Sequence, residues 1–113
     1  MPYINTQTNL TVTEEQIREM TAAFGKAIEI IPGKTEEWLM LKFNGDQAMA
    51  FRGDLSTPCC ILEVEISGKS TREYFNALTA ELTKIMGKVL GITPENVYVK
   101  YEEIDYWGYN GGL

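Results

Sequence analysis

The chain has 113 residues, 16 acidic against 10 basic side chains, a formal net charge of −6 and no histidine. This length fits one domain with its own core. An acidic chain without a Lys/Arg stripe disfavours nucleic-acid binding, and the lack of histidine excludes Ser–His and Cys–His catalysis and histidine metal sites.

The N-terminus, Met1-Pro2, offers a base that works without histidine. A small residue after the initiator methionine usually permits its removal, which would leave Pro2 with a free secondary amine. An α-amino group has a pKa of roughly 7.7–8.0, and burial or a nearby cation lowers it. Pro2 is therefore a candidate general base at neutral pH. The alternative is that Met-Pro marks only the start of translation.

The first half of the chain predicts a strand, a helix and a second strand. Residues 2–8 alternate and carry β-branched side chains, which favours a strand. Thr13 and Gln16 form a capping box, and apolar residues at helical spacing continue the helix until Pro32-Gly33 ends it. Residues 38–43 then predict a strand, 48–51 a short strand, and 53–58 a loop.

The second half repeats this order. Residues 60–66 alternate between apolar and acidic side chains, as in a half-buried strand. Ser70 with Glu73 predicts a second capping box, Gly91 ends the following helix, and residues 97–102 predict the closing strand.

The two halves align without gaps over residues 33–43 and 91–101, where both show Gly-x-Thr-x-Glu and a later Lys-aromatic pair. We therefore predict one α+β domain, 1–113, built from βαβ halves of about 2–52 and 58–105. Right-handed crossovers place both helices on one face of a four-stranded sheet. Trp38, Met40 and Tyr98 make the other face look apolar, which predicts a partner, most simply another copy.

Cys59 and Cys60 are adjacent, so a disulfide between them would be strained. This suits a reducing cytoplasm, and Cys60 is expected to be a small buried apolar residue. No stretch suggests a signal peptide or a transmembrane helix. We expect a cytoplasmic protein without membrane contact, whose release, if any, does not use a signal peptide.

Several fragments, in this order and spacing, resemble the tautomerase superfamily, specifically its macrophage migration inhibitory factor branch. They are Pro2-x-Ile4-x-Thr6-x-Thr8, Gly33-Lys34, Met49-Ala50-Phe51, Pro58-Cys59, Gly68-Lys69, Ile92 to Tyr98 and Trp107 to Gly111. The chain lacks both histidine and an animal-like tail, which favours a microbial member. The resemblance implies a homotrimeric barrel with active sites at subunit boundaries. It also implies cofactor-free and metal-free keto–enol tautomerisation of small molecules such as phenylpyruvate and dopachrome-like compounds, with Pro2 moving the proton.

The resemblance also assigns substrate-binding residues. Lys34 would bind the substrate carboxylate and lower the Pro2 pKa, although a solvated lysine after a helix is the simpler alternative. Ser67 lies where the family uses a backbone amide, with Ile66 as the alternative in register. Tyr98 matches a pocket tyrosine from the neighbouring subunit, or serves strand packing.

Lys100 departs from the animal pattern, which has asparagine there. If it shares a sheet face with Tyr98, as strand alternation requires, it would bring a second cation into the pocket and lower the Pro2 pKa further. Its repeat partner Lys42 is expected to be structural or solvated. Tyr3, Trp107 and Tyr109 are candidate aromatic walls of the pocket.

Two other functions remain open at this stage. A cytokine mimic or signalling protein would keep the fold with a vestigial pocket. Hydration or dehalogenation of small unsaturated acids ranks lowest, because that chemistry typically adds arginines to the site and none of Arg18, Arg52 and Arg72 has a predicted place there. Leu62 replaces the second cysteine of the animal Cys-x-x-Cys motif, so dithiol oxidoreductase activity is not expected.

Overall fold

The computed structural model describes all residues from Met1 to Leu113. The strands are β1 (Pro2–Thr8), β2 (Met40–Asn44), β3 (Cys60–Ser67) and β4 (Val97–Ile104), and the helices are α1 (Glu14–Ala27) and α2 (Arg72–Leu90). Short 3₁₀ turns cover Ile28–Ile30, Glu36–Trp38 and Pro94–Asn96. None of the helices combines the length and the apolar composition needed to cross a membrane.

The four strands form one sheet in the order β2-β1-β3-β4. β1 runs parallel to β2 and β3 parallel to β4, while the central pair β1 and β3 is antiparallel. Alternate residues of β1 and β3 are buried, and they pack with residues of α1 and α2 into one core cluster. The predicted tandem βαβ fold, with both helices on one face of the sheet, is confirmed.

The predicted repeat is visible in the backbone. Gly91 directly caps α2, whereas α1 ends at Ala27 and a 3₁₀ turn separates it from Gly33, so the first helix ends earlier than Pro32-Gly33 predicts. The two glycines have positive φ angles of 69° and 83°, a conformation that glycine adopts without a steric penalty. Each is followed by a 3₁₀ turn and then by an edge strand. Trp38 lies in the first of these turns, so β2 begins two residues later than the sequence pattern suggests.

The two helices begin differently. The capping box of Thr13 and Gln16 at α1 is confirmed. The second box is wrong, because Thr71 caps α2 and accepts a hydrogen bond from the Tyr74 amide at 3.3 Å. Ser70 instead donates its backbone N–H to the Glu103 carboxylate at 2.9 Å.

The predicted short strand at 48–51 is also wrong. Phe51 pairs only with Asp54, through an isolated bridge closed by a two-residue turn. The rest of the segment has no strand to pair with inside the chain, so its β-propensity does not produce a ladder.

The open face of the sheet is polar at its centre, which corrects the expectation of an apolar surface. A row of side chains crosses all four strands: Asn44 donates to Asn5 at 2.6 Å, Asn5 donates to Glu63 at 3.0 Å, and Lys100 pairs with Glu63 at 3.3 Å. The buried apolar residues of the two central strands, Ile4, Leu62, Val64 and Ile66, point towards the helices instead. Met40 and Tyr98, which are 68% and 59% exposed, lie at opposite ends of the open face.

Both cysteines are buried free thiols, and burial raises the pKa of Cys60 to about 12. The prediction that Cys60 packs as a small apolar residue is confirmed by its place in the core cluster.

Candidate active site

The start of β1 brings three of the predicted residues together. Pro2 is buried and lies opposite Ile66 of β3. The Ser67 backbone N–H donates to the Met1 carbonyl at 2.9 Å, and the Lys34 ammonium donates to the Ser67 carbonyl at 2.8 Å. The nitrogen of Pro2, which is bonded to that Met1 carbonyl carbon, therefore lies beside a backbone donor and a lysine. The backbone amide at this corner is that of Ser67, and its contact with a substrate stays a prediction.

The electrostatic environment of this corner disfavours a protonated amine. The pKa of the Met1 α-amino group falls from 8.0 to about 6. Partial burial is the main cause, because it removes water from the ammonium, and the hydrogen-bonding contact and positive charge of Lys34 lower the pKa further. An amine in this position is thus largely neutral at pH 7.

A cavity of about 1080 Å³ opens next to Pro2. Three predicted aromatic residues line it with Pro2: Tyr3, Trp107 and Tyr109. Tyr109 meets Trp38 edge to face, with ring centroids 5.2 Å apart. Aromatic walls of this kind suit a flat, unsaturated ligand.

Trp38 and Lys42 are among the lining residues of this cavity that the sequence did not assign to it. Trp38 lines it from the 3₁₀ turn that follows Lys34, whereas the pattern placed it on a strand. Lys42 lines it from β2 and has no carboxylate within 4.0 Å. The signal for both was their closeness in sequence to Lys34. The cavity also includes Glu37 and Glu65, so its lining carries both signs of charge.

Tyr98 and Lys100 do not reach this cavity within one chain. Tyr98 lies opposite Ile61, at the far end of β3 from Ser67. Lys100 pairs with Glu63 at 3.3 Å and with Glu102 at 3.5 Å. These contacts, led by the Glu63 hydrogen bond, raise the Lys100 pKa. The roles of both residues in substrate binding stay predictions, and Lys100 is a cation compensated by two carboxylates.

Comparisons with known proteins agree on one family. The family model described as Macrophage migration inhibitory factor (MIF) matches residues 1–112. The chain is 28% identical to the Macrophage migration inhibitory factor of Xenopus laevis over 116 residues, covering 98% of this chain and 96% of the relative. It is 25% identical to the homolog from Brugia malayi over 108 residues, or 93% and 90% of the two chains.

Solved structures show the same fold. The crystal structure of Leishmania major MIF2 matches with a TM-score of 0.92 at 25% identity, covering 99% of this chain and 96% of that one. Pt0534, solved after inactivation by 2-oxo-3-pentynoate, matches with a TM-score of 0.87 at 20% identity, covering 98% and 94%.

Proposed function

Because the chain belongs to the macrophage migration inhibitory factor family of the tautomerase superfamily, we propose that it is a cofactor-free keto–enol tautomerase. Its substrates would be phenylpyruvate-like α-keto acids and dopachrome-like compounds. The observation that carries this proposal is the corner where Pro2, the Ser67 N–H and the Lys34 ammonium meet beside an aromatic cavity.

In the proposed mechanism, removal of Met1 turns the Pro2 nitrogen from an amide into a secondary amine. The surroundings that lower the Met1 amine pKa to about 6 would act on the Pro2 amine as well, since the two nitrogens belong to neighbouring residues. The amine is then neutral near pH 7 and can accept a proton, which a general base requires.

Removal of Met1 also frees the Ser67 N–H, which binds the Met1 carbonyl in the structure. A substrate carbonyl or carboxylate oxygen in that position would receive the same hydrogen bond. Lys34 lies next to it and would supply a positive charge to the substrate carboxylate. The Ser67 N–H is held by β3, and the Lys34 ammonium is held by its hydrogen bond to the Ser67 carbonyl, so both groups need little rearrangement when the substrate binds.

The reaction itself needs no further reactant. In the enol-to-keto direction Pro2 takes the enol O–H proton, the electron pair moves from oxygen towards the β-carbon, and the same proton is returned to that carbon. Atoms and electrons balance within the substrate and one amine. This is why a single well-placed base can complete the cycle.

The cavity is proposed to be completed in a homotrimer. In one chain it is open, and Tyr98 lies at the other end of the sheet with more than half of its surface exposed. A neighbouring copy could bring Tyr98 to the pocket that contains Pro2. The edge strands β2 and β4 each have one free side for such pairing.

The test compares tautomerisation of phenylpyruvate and of dopachrome methyl ester by the wild type and by Pro2→Gly. We expect kcat/KM to fall by about 10²-fold or more, the usual contribution of a general base. A protein that retains Met1 keeps the Pro2 ring but blocks its nitrogen, so it serves as a matched control and should be equally inactive.

The rival function is a MIF-like signalling protein with a vestigial pocket. It predicts that the wild type, with Met1 shown to be absent by intact-mass spectrometry, turns over neither compound. Equal rates in the wild type and Pro2→Gly would contradict the proline mechanism instead.

A further inference from the structure

The turn between Phe51 and Asp54 contains an unusual residue. Phe51 and Asp54 exchange two backbone hydrogen bonds, of 2.9 and 3.0 Å, and the two residues between them have positive φ angles of 54° (Arg52) and 75° (Gly53). Such turns favour asparagine, aspartate and glycine at both positions. The other non-glycine residues with positive φ are Asp46 and Asn110, which follow this preference. Arg52 alone has the steric cost of a positive φ angle without the local side-chain hydrogen bond that asparagine and aspartate can form there.

The side chain of Arg52 makes two contacts that explain why this conformation is retained. Its guanidinium carbon lies 4.7 Å from the centroid of the Phe51 ring, within the range of a cation–π interaction. One of its amino groups donates to the Glu95 carbonyl at 3.2 Å. No carboxylate lies within 4.0 Å of the Arg52 guanidinium, so Arg52 forms no ion pair. Arg52 thus fixes the Phe51 ring against the turn that precedes β4.

The Phe51 ring in turn supports Tyr98. The two rings meet edge to face, with centroids 5.2 Å apart and planes at 87°. Tyr98 is 59% exposed. Phe51 is therefore the aromatic ring in contact with this exposed side chain.

We propose that Arg52 is a positioning residue, which holds Tyr98 through Phe51 in the orientation needed for substrate binding. This inference rests on the proposed function, in which Tyr98 enters the pocket of a neighbouring copy. Backbone strain at a turn is a common feature of functional sites, where the surrounding contacts maintain it. A ring that is already ordered loses less conformational entropy when the ligand binds, which strengthens binding.

The decisive variant is Arg52→Gly, because glycine relieves the backbone strain while removing the side chain. We expect the free energy of unfolding to stay at the wild-type value or to increase. The KM for phenylpyruvate should increase by about 3- to 10-fold, the scale of ordering one side chain, with kcat within about 2-fold of wild type. Arg52→Lys keeps a cation over Phe51 and should restore most of the binding.

Two measurements separate positioning from other roles. In the Tyr98→Ala background, Arg52→Gly should cause no further increase in KM; an undiminished increase there would overturn the proposal. Independently of activity, the Tyr98 ring resonances should lose their ring-current shift in Phe51→Leu and should move in the same direction in Arg52→Gly. Unchanged Tyr98 resonances and KM in Arg52→Gly would also overturn it.

The proposed function can fail separately. If Tyr98→Ala itself leaves KM unchanged in an active enzyme, the positioning role is withdrawn while Pro2 keeps its role as the base. If Pro2→Gly is as active as wild type, the proline mechanism fails, and the NMR comparison still decides whether Arg52 orders Tyr98.

Discussion

The two βαβ halves share a backbone but use one equivalent position in opposite ways. Lys34 follows Gly33 after α1, and Ile92 follows Gly91 after α2. Lys34 is half-buried and its ammonium reaches Ser67, in the other half of the chain, whereas Ile92 is 1% exposed in the core. The difference between lysine and isoleucine at this repeated position thus separates a cation that contacts the other half of the chain from a packing position.

A second equivalent pair shows the reverse of what the sequence suggests. Lys100 is the lysine that strand alternation with Tyr98 was expected to bring into the pocket, but its charge is compensated by Glu63 and Glu102. Lys42, its repeat partner, lines the Pro2 cavity without a carboxylate nearby. The partner across the sheet, more than the residue type, decides which lysine is available to a ligand.

The largest effect expected from this comparison is on stability. Ile92→Ala removes a fully buried side chain from the core, so the free energy of unfolding should decrease by about 2–5 kcal/mol. Chemical denaturation measures this. Lys34→Ala, at the equivalent position, should change it much less, and similar losses in both variants would erase the proposed division of roles.

The next effect is on catalysis. On the proposed function, Lys34→Met should reduce kcat/KM for phenylpyruvate by about 10- to 100-fold, the value of a charge-assisted contact to a carboxylate. The acidic limb of the pH profile of kcat/KM should also shift to higher pH, because loss of the Lys34 cation raises the pKa of the Pro2 amine. Lys26→Met, an exposed cation on α1, is the control and should change neither. An unshifted limb in Lys34→Met would mean that Lys34 does not influence the base.

The helix starts differ by a smaller amount. Thr71→Ala should destabilise the fold by about 1 kcal/mol, the usual value of an N-cap, because the Tyr74 amide loses its acceptor. Ser70→Ala should have a much smaller effect, since only the backbone N–H of Ser70 is used. Thermal or chemical unfolding of the two variants compares them directly, and a larger loss in Ser70→Ala would restore the original capping box.

The smallest expected effect on catalysis is that of replacing Lys100. The Glu63 pKa is lowered mainly by the Gln7 hydrogen bond and then by Lys100. Ionised Glu63 therefore stabilises the fold at pH values above its ordinary pKa, and this stabilisation is lost as the pH falls through the lowered pKa. Lys100→Asn should raise the Glu63 pKa, which carboxyl NMR measures, and leave the acidic limb of the pH–rate profile in place. A limb that moves to higher pH would show that Lys100 acts on Pro2 after all.

Local patterns predicted most of the fold because the determinants are local. The alternation in β1 and β3, the Thr13 box and the two glycines act within a few residues. The predictions were wrong where a residue distant in sequence determines the local structure. Ser70 is drawn away from the cap by Glu103, and residues 48–51 lack a neighbouring strand.

The candidate site shows the same contrast between residues that the sequence identifies and contacts that depend on distant partners. Pro2, Lys34 and Ser67 were assigned from the resemblance, and the structure brings them together. The compensation of Lys100 by Glu63 depends on a contact between residues 37 positions apart, which no local pattern reveals. Trp38 and Lys42 were overlooked because the same residue types also serve packing and solvation.

The most direct test of the central claim is a ¹⁵N NMR pH titration of the protein labelled with [¹⁵N]proline. The chain has four prolines, and only one with a free amine can titrate. The account predicts one titrating proline nitrogen, with a midpoint below the ordinary value of roughly 7.7–8.0 and equal to the midpoint of the acidic limb of kcat/KM. The absence of a titrating proline nitrogen, or a midpoint unrelated to the rate profile, would contradict it.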